Sequence, residues 1–174
     1  MANTELKDMV KNLQDGNIGY FDPIYYETKN VVYYTILGIL KDPNISEDIM
    51  QETYIKMLEK IHSYKPTSNF KSWLITIARN LAINEFNKRK REYNVNETEN
   101  EVIFGSVESN SEKELIVMEL LNILKDEEKQ IVIMHVLGDL KHREIAKMLG
   151  KPIGTVTWAY NEAIKKLKSE YESR

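Results

Sequence analysis

The sequence predicts an all-α protein made of two small helical domains joined by an acidic linker. Three observations predict this. The chain of 174 residues is 42% hydrophobic and 29% charged, with only 7 Gly and 4 Pro, the profile of a mostly helical domain. Apolar residues recur at helical spacing in two long stretches. Between those stretches, YNVNETENEVIFGSVESNSEK (93–113) has no sustained period and is rich in Asn, Ser and Glu, the composition of a linker. The expected units are residues 1–92, the linker 93–113, and residues 114–174.

Composition also excludes classes of function. There is no cysteine, so disulfides and thiolate metal sites are ruled out and a reducing cytosol is expected. The opening MANTELKDMVKNLQDGN is polar and charged, unlike a signal peptide. The longest apolar run, VVYYTILGIL, falls short of the roughly 20 residues of a membrane span, so a cytoplasmic chain without membrane insertion is expected. The net charge of −3 hides a pattern. KRKR (88–91) is purely basic, 92–114 holds seven Glu against one Lys, and 141–174 holds eight cations against four Glu. Two basic zones flank an acidic one.

In chain order, YFDPIYYETKNVVYYTILGIL supplies apolar helical surface for its neighbours. DPNISEDIMQETYIKMLEKI follows, with Asn44 as N-cap and Glu47 three residues on as a capping box. Met50, Tyr54, Met57, Leu58 and Ile61 form its buried stripe. HSYKPTSN breaks the helix, and the next one turns Phe70, Trp73, Leu74, Ile77, Leu81 and Phe86 inward. Beyond the linker, ELIVMELLNIL and EEKQIVIMHVLGD read as helices, the second closing near Gly138. Ile145, Ala146 and Leu149 then mark a short helix ended by Gly150. Pro152 suits the first turn of the last helix, whose inner stripe is Val156, Tyr160, Ala163 and Leu167. Two helices across a short Gly-containing turn fit a helix-turn-helix, a pattern that any helical hairpin can imitate.

Three groups of residues carry candidate chemistry. At 3.6 residues per turn, Thr76, Asn80, Asn84, Asn87 or Lys88, and Arg91 share one face. Amides can read base edges and cations neutralise phosphate; the bland alternative is a solvated helix face. Asp48, Gln51, Glu52 and Ile55 line one side of the preceding helix, opposite its apolar stripe. That ridge reads as a protein-docking surface or as ordinary solvated helix. His62, His135 and His142, with Asp139 or Glu144, fit no zinc spacing, so no metal and no cofactor is expected. The chain holds no Gly-rich phosphate loop and no nucleophile–base motif, so it is not expected to be an enzyme.

DIMQETYIKMLEKIHSYKPTSNFKSWLITIARNLAINEFNKRKRE resembles region 2 of the sigma-70 family, in its extracytoplasmic-function group. LLNILKDEEKQIVIMHVLGDLKHREIAKMLGKPIGTVTWAYNEAIKKL resembles that group's region 4. The resemblance implies a promoter-specificity subunit that recruits bacterial RNA polymerase core to minus-ten and minus-35 elements and helps melt the DNA. By position, Asp48, Gln51, Glu52 and Ile55 would dock on the clamp helices of the largest polymerase subunit. Region 4 would sit on the flap of the second-largest. Asn80 would hold a base flipped from the non-template strand, with Asn84 on the same face. The loop bearing Ser63, Tyr64, Lys65, Ser68 and Asn69 would shape the pocket for that base. Lys88, Arg89, Lys90 and Arg91 would grip upstream phosphates. The linker would thread towards the RNA path, and an anti-sigma factor is an expected partner.

The sequence departs from the family's pattern at one place. Where region 4 usually presents arginines to the minus-35 duplex, this chain has Thr157, Trp158, Ala159, Asn161 and Glu162, with no cation before Lys165. One reading lets Thr155, Thr157, Trp158, Asn161 and Glu162 contact the duplex, with phosphate contacts from Lys141, Arg143 and Lys165. The other packs Trp158 on region 2 or on an inhibitory partner and leaves minus-35 recognition impaired. A stand-alone helix-turn-helix regulator is a further alternative, and a metal-dependent helical hydrolase built on the histidines is another.

Overall fold

The computed structural model describes residues 3–92, 119 and 121–174. The expected linker, and most of the ELIVMELLNIL helix, lie outside the described residues. Helix α1 (Asn3–Gln14) and a 3-10 turn (Ile18–Tyr20) lead into α2 (Phe21–Leu40), α3 (Pro43–Lys60) and α4 (Phe70–Glu92). Then come α5 (Asp126–Val132), a π turn (Ile133–Leu137), α6 (His142–Leu149) and α7 (Ile153–Glu172).

The polar N-terminal stretch forms a real element, because Leu6, Val10 and Leu13 recur at i, i+4 and i+7 and are all buried. Helices α2, α3 and α4 pack on one another. Tyr54 sits at their junction, its ring against Phe21 and Tyr25 and its hydroxyl 2.7 Å from Thr28 Oγ1.

Two expectations are corrected by the fold. The N-cap of α3 is Asp42, not Asn44: the Asp42 carboxylate accepts from the N–H groups of Asn44 and Ile45 at 3.0 and 3.2 Å, with Pro43 in the first turn. Proline lacks the N–H that a helix start leaves unpaired, so the cap falls on the residue before it. Phe86 does not turn inward; it is 46% exposed. The inner face of α4 instead runs through Ile75, Ala78 and Ala82, and the two alanines let α4 approach its neighbours closely.

The two helical units do not stand apart. Every residue of α2 from 31 to 38 is buried, because α3 and α4 cover one side and α5 with the π turn covers the other. Gly138 stands against α2, where an added Cβ would meet Val31 Cγ2 at 3.0 Å as well as Met134 O of its own turn at 2.5 Å. The buried apolar residues described in both units form one continuous core.

Candidate functional site

The ridge on α3 is exposed as the periodicity predicts. Asp48, Gln51 and Glu52 face solvent and Ile55 is 57% exposed, while Ile49, Thr53, Tyr54 and Met57 on the opposite side are buried. A single exposed aliphatic side chain is ordinary on a protein surface, so the ridge is distinguished only by its grouping of Asp48, Gln51 and Glu52 around Ile55.

On α4, Thr76, Asn80, Asn84, Asn87, Lys88, Lys90 and Arg91 are all exposed. The polar face therefore runs for four turns, interrupted by the exposed Ile83, and ends in cations where the helix dipole is negative. Lys88, Lys90 and Arg91 pair with no described carboxylate, whereas Arg89 Nε donates to Glu85 Oε1 at 3.0 Å. Arg89 is thus the least available of the four cations.

The loop 63–70 is braced from within. Tyr64 is buried, its ring against Phe70 and Trp73 at 5.3 and 5.2 Å, and its hydroxyl donates across the loop to Ser68 O. Burial pushes the phenol up, opposed by the Ser68 hydrogen bond. Ser68 Oγ donates to Lys65 O, and Asn69 Oδ1 accepts from Ser72 N at 3.1 Å, capping α4. Tyr64 and Asn69 therefore build the loop, while Ser63, Lys65 and Ser68 stay exposed.

The hairpin α6–α7 has the expected inner stripe: Val156 and Ala163 are fully buried and Tyr160 and Leu167 half-buried. Ala159 joins them. Lys125 N and Lys141 N donate to Glu128 and Glu144 at 3.0 and 2.8 Å, fixing the starts of α5 and α6. Burial works to raise the Glu128 carboxyl, but Lys166 at 2.7 Å and the Lys125 N–H bring it below its ordinary value.

His135 and His142 do come together, their rings 4.7 Å apart and both against Tyr160. Among the described residues no group of three or more His, Asp or Glu could hold a metal ion. His142 Nδ1 lies 3.0 Å from Thr157 Oγ1 and joins α6 to α7. Burial, with His135 beside it, lowers the His142 imidazole.

On the outer side of α7, Thr155 and Asn161 are exposed and Trp158 is 66% exposed. Trp158 therefore does not pack on the first helical unit. Thr157 is half-buried against His142, and Glu162 is held by Lys165 at 3.1 Å. Lys141 and Arg143 are exposed at the start of α6.

Comparison with known proteins decides the family. The family model described as Sigma-70 region 2 matches residues 24–92, and the one described as Sigma-70, region 4 matches residues 114–167. The chain belongs to the sigma-70 family. Among curated relatives it is 38% identical over 76 residues to the ECF RNA polymerase sigma factor SigM of Bacillus subtilis, covering 44% of this chain and 46% of that one. It is 36% identical over 70 residues to SigX of the same organism, 40% of this chain and 36% of that one. The chain thus spans half or less of these two relatives. SigW, also of Bacillus subtilis, matches at 27% identity over 87% of this chain and 88% of that one. These relatives place it in the ECF group.

The fold is that of the sigma factor RpoE solved with the anti-sigma factor NepR from Bartonella quintana. That match has a TM-score of 0.65 and 21% identity, covering 87% of this chain and 96% of that one. CnrH, solved with the cytosolic domain of CnrY, aligns at a TM-score of 0.63 and 14% identity over 96% of this chain and 97% of that one.

Region 4 is closed onto region 2 through contacts that no local motif announces. Gln130, buried on α5, donates to Thr35 O at 3.2 Å and accepts from Arg79 at 3.0 Å. Burial lowers Arg79. Lys41 pairs with Asp126 at 2.9 Å, and Asn69 donates to Glu144 at 3.2 Å. Between the regions runs an open groove of about 480 Å³ lined by Gly38, Leu40, Arg79, Phe86, Gln130 and Leu149 among others. Periodicity and motif spacing miss Arg79 and Gln130.

Proposed function

We propose that this chain is the promoter-specificity subunit of a bacterial RNA polymerase, working in the cytoplasm as a binding protein without catalytic residues of its own. The observation that carries this reading is the α4 face, amide-rich then basic and exposed from Thr76 to Arg91. Asp48, Gln51, Glu52 and Ile55 dock on polymerase core. Asn80, with Asn84 beside it, holds a flipped base of the minus-ten element. The exposed tip of the loop 63–70 selects that base, and Lys88, Lys90 and Arg91 grip phosphate. Region 4 reads the minus-35 element through Trp158 and Asn161, with Lys141, Arg143 and Lys165 on the flanking phosphates. An apolar ring can touch a thymine methyl and an amide can pair with adenine, so the missing arginines change what is read and not whether it is read.

Closure of region 4 bears on mechanism. The two elements lie about 25 base pairs apart, or ~85 Å at 3.4 Å per pair. The minus-ten loop and the start of the helix-turn-helix are joined by the Asn69–Glu144 hydrogen bond at 3.2 Å. One closed molecule cannot span both elements, so the regions separate when the holoenzyme engages a promoter. An anti-sigma factor, the partner held by the structural relative RpoE, would act by keeping the chain off polymerase core.

Run-off transcription on fragmented genomic DNA, with and without the chain added to core polymerase, tests the reading. Promoter-specific transcripts that depend on the chain are expected. DNA binding with no affinity for core would point to a stand-alone regulator instead.

A further inference from the structure

Helix α1 and the turn after it precede both family-matched segments, the first of which begins at residue 24. Their amphipathic face is nevertheless fixed to region 2 by Leu6, Val10 and Leu13. The helix ends sharply, with Gly16 at φ +93 and Asn17 N donating back to Asn12 O at 3.0 Å. That ending places Gln14 in the last turn, facing the end of α3. Its amide nitrogen donates to two carbonyls, Ile61 O and Tyr64 O, both at 2.9 Å. An NH₂ group carries two hydrogens and so can serve both at once.

These two carbonyls sit at the base of the loop 63–70. Ile61 O also accepts from Tyr64 N at 3.2 Å, so Gln14 closes the 3-10 turn where α3 gives way to the loop. Tyr64 is the pivot of this loop. Its backbone is held by Gln14, its ring is wedged against Phe70 and Trp73, and its hydroxyl reaches Ser68 O at the loop's far side. A shift of the Tyr64 backbone therefore moves both ends of the exposed tip Lys65–Thr67 relative to the α4 face.

We propose that Gln14 is a positioning residue for minus-ten recognition: it sets the seat of Tyr64 and hence the shape of the loop that selects the flipped base. This rests on the assignment of that loop made under the proposed function. Gln14 itself touches no DNA; it acts through Tyr64.

The test uses holoenzyme assembled with full-length variants and a promoter library randomised across the minus-ten element. Gln14→Glu keeps the shape but turns an acceptor towards two carbonyls, and Gln14→Ala removes the side-chain donor from both, leaving Ile61 O with Tyr64 N alone. Gln14→Lys restores a donor with the reach for both. Discrimination at the selected base should fall roughly tenfold in Gln14→Glu and several-fold in Gln14→Ala, on the scale of one or two lost hydrogen bonds. Gln14→Lys should recover most of it, and all three should bind core as the wild type does.

A double variant of the tip, Lys65→Ala with Thr67→Ala, reports on the loop itself. If the tip variant shifts base preference while Gln14→Glu and Gln14→Ala keep the wild-type preference, Gln14 is only structural and the inference is overturned. If the tip variant also leaves preference unchanged, the loop assignment itself fails, and the inference with it. If Gln14→Ala melts early, the Glu and Lys variants decide between them, since they differ in whether an acceptor or a donor faces Ile61 O and Tyr64 O.

Discussion

Gln130→Ala is expected to loosen the closure of region 4 on region 2 while leaving each region folded. The Gln130 side chain is buried between α2 and α4 and hydrogen-bonds across the interface twice, to Thr35 O and from Arg79. A neutral hydrogen bond contributes about 1 kcal/mol net and one to a charged donor about 1.5–3 kcal/mol. Arg79 is only part-buried, so the charged bond is discounted towards the lower figure. Together they come to about 2–3 kcal/mol, a shift of roughly 30- to 150-fold in the ratio of closed to open molecules. The chain has no cysteine, so single cysteines at the exposed positions Lys60 and Lys168 give clean dye sites for energy transfer. In a urea titration, loss of transfer should come at lower denaturant in Gln130→Ala than in wild type, ahead of the loss of helical signal. The same midpoint in both proteins, or loss of transfer only together with helical signal in the variant, would refute the latch.

Asp48→Ala with Gln51→Ala should weaken core binding by about 2 kcal/mol without changing Tm, since both side chains are exposed; unchanged affinity in a titration against core would remove the ridge assignment. Asn80→Ala should leave core binding intact and lower permanganate reactivity of the melted thymines, because unstacking a base costs a few kcal/mol that the amide no longer offsets. Lys88→Ala with Arg91→Ala should reduce the salt slope of promoter binding by about one unit for each phosphate no longer neutralised, and Arg89→Ala should do less because Glu85 already holds it. Trp158→Ala and Asn161→Ala should each relax preference at one minus-35 position, by ~1–3 kcal/mol for the amide; wild-type preference in both would show that α7 does not read bases through them. His142 titrates below its ordinary value of 6.5 in the folded chain, so the unfolded chain takes up more protons in that window. Its contribution to stability is therefore complete above pH 6.5 and declines as pH falls below it. His142→Gln should abolish that slope in thermal melts from about pH 5 to about pH 7, while keeping a polar side chain beside Thr157.

Features that repeat along the chain were legible before any tertiary information. The α4 face from Thr76 to Arg91, the α3 ridge and the inner stripe of α7 depend on 3.6 residues per turn and little else. The acidic middle and its basic flanks are equally a matter of counting. Burial and long-range pairing emerged only from the packed molecule, because whether a face is covered depends on residues far away in the chain. Thr35 meets Gln130 across 95 positions and Asn69 meets Glu144 across 75. No local period marks such pairs, and an isolated glutamine looks the same whether it faces water or a buried carbonyl. Phe86 reads as core on apolarity alone, yet it lines the groove between the regions, since small residues on α4 had already taken the inner face. The N-terminal helix reads as a polar lead-in until Leu6, Val10 and Leu13 find region 2. Only that docking brings Gln14 to the base of the loop.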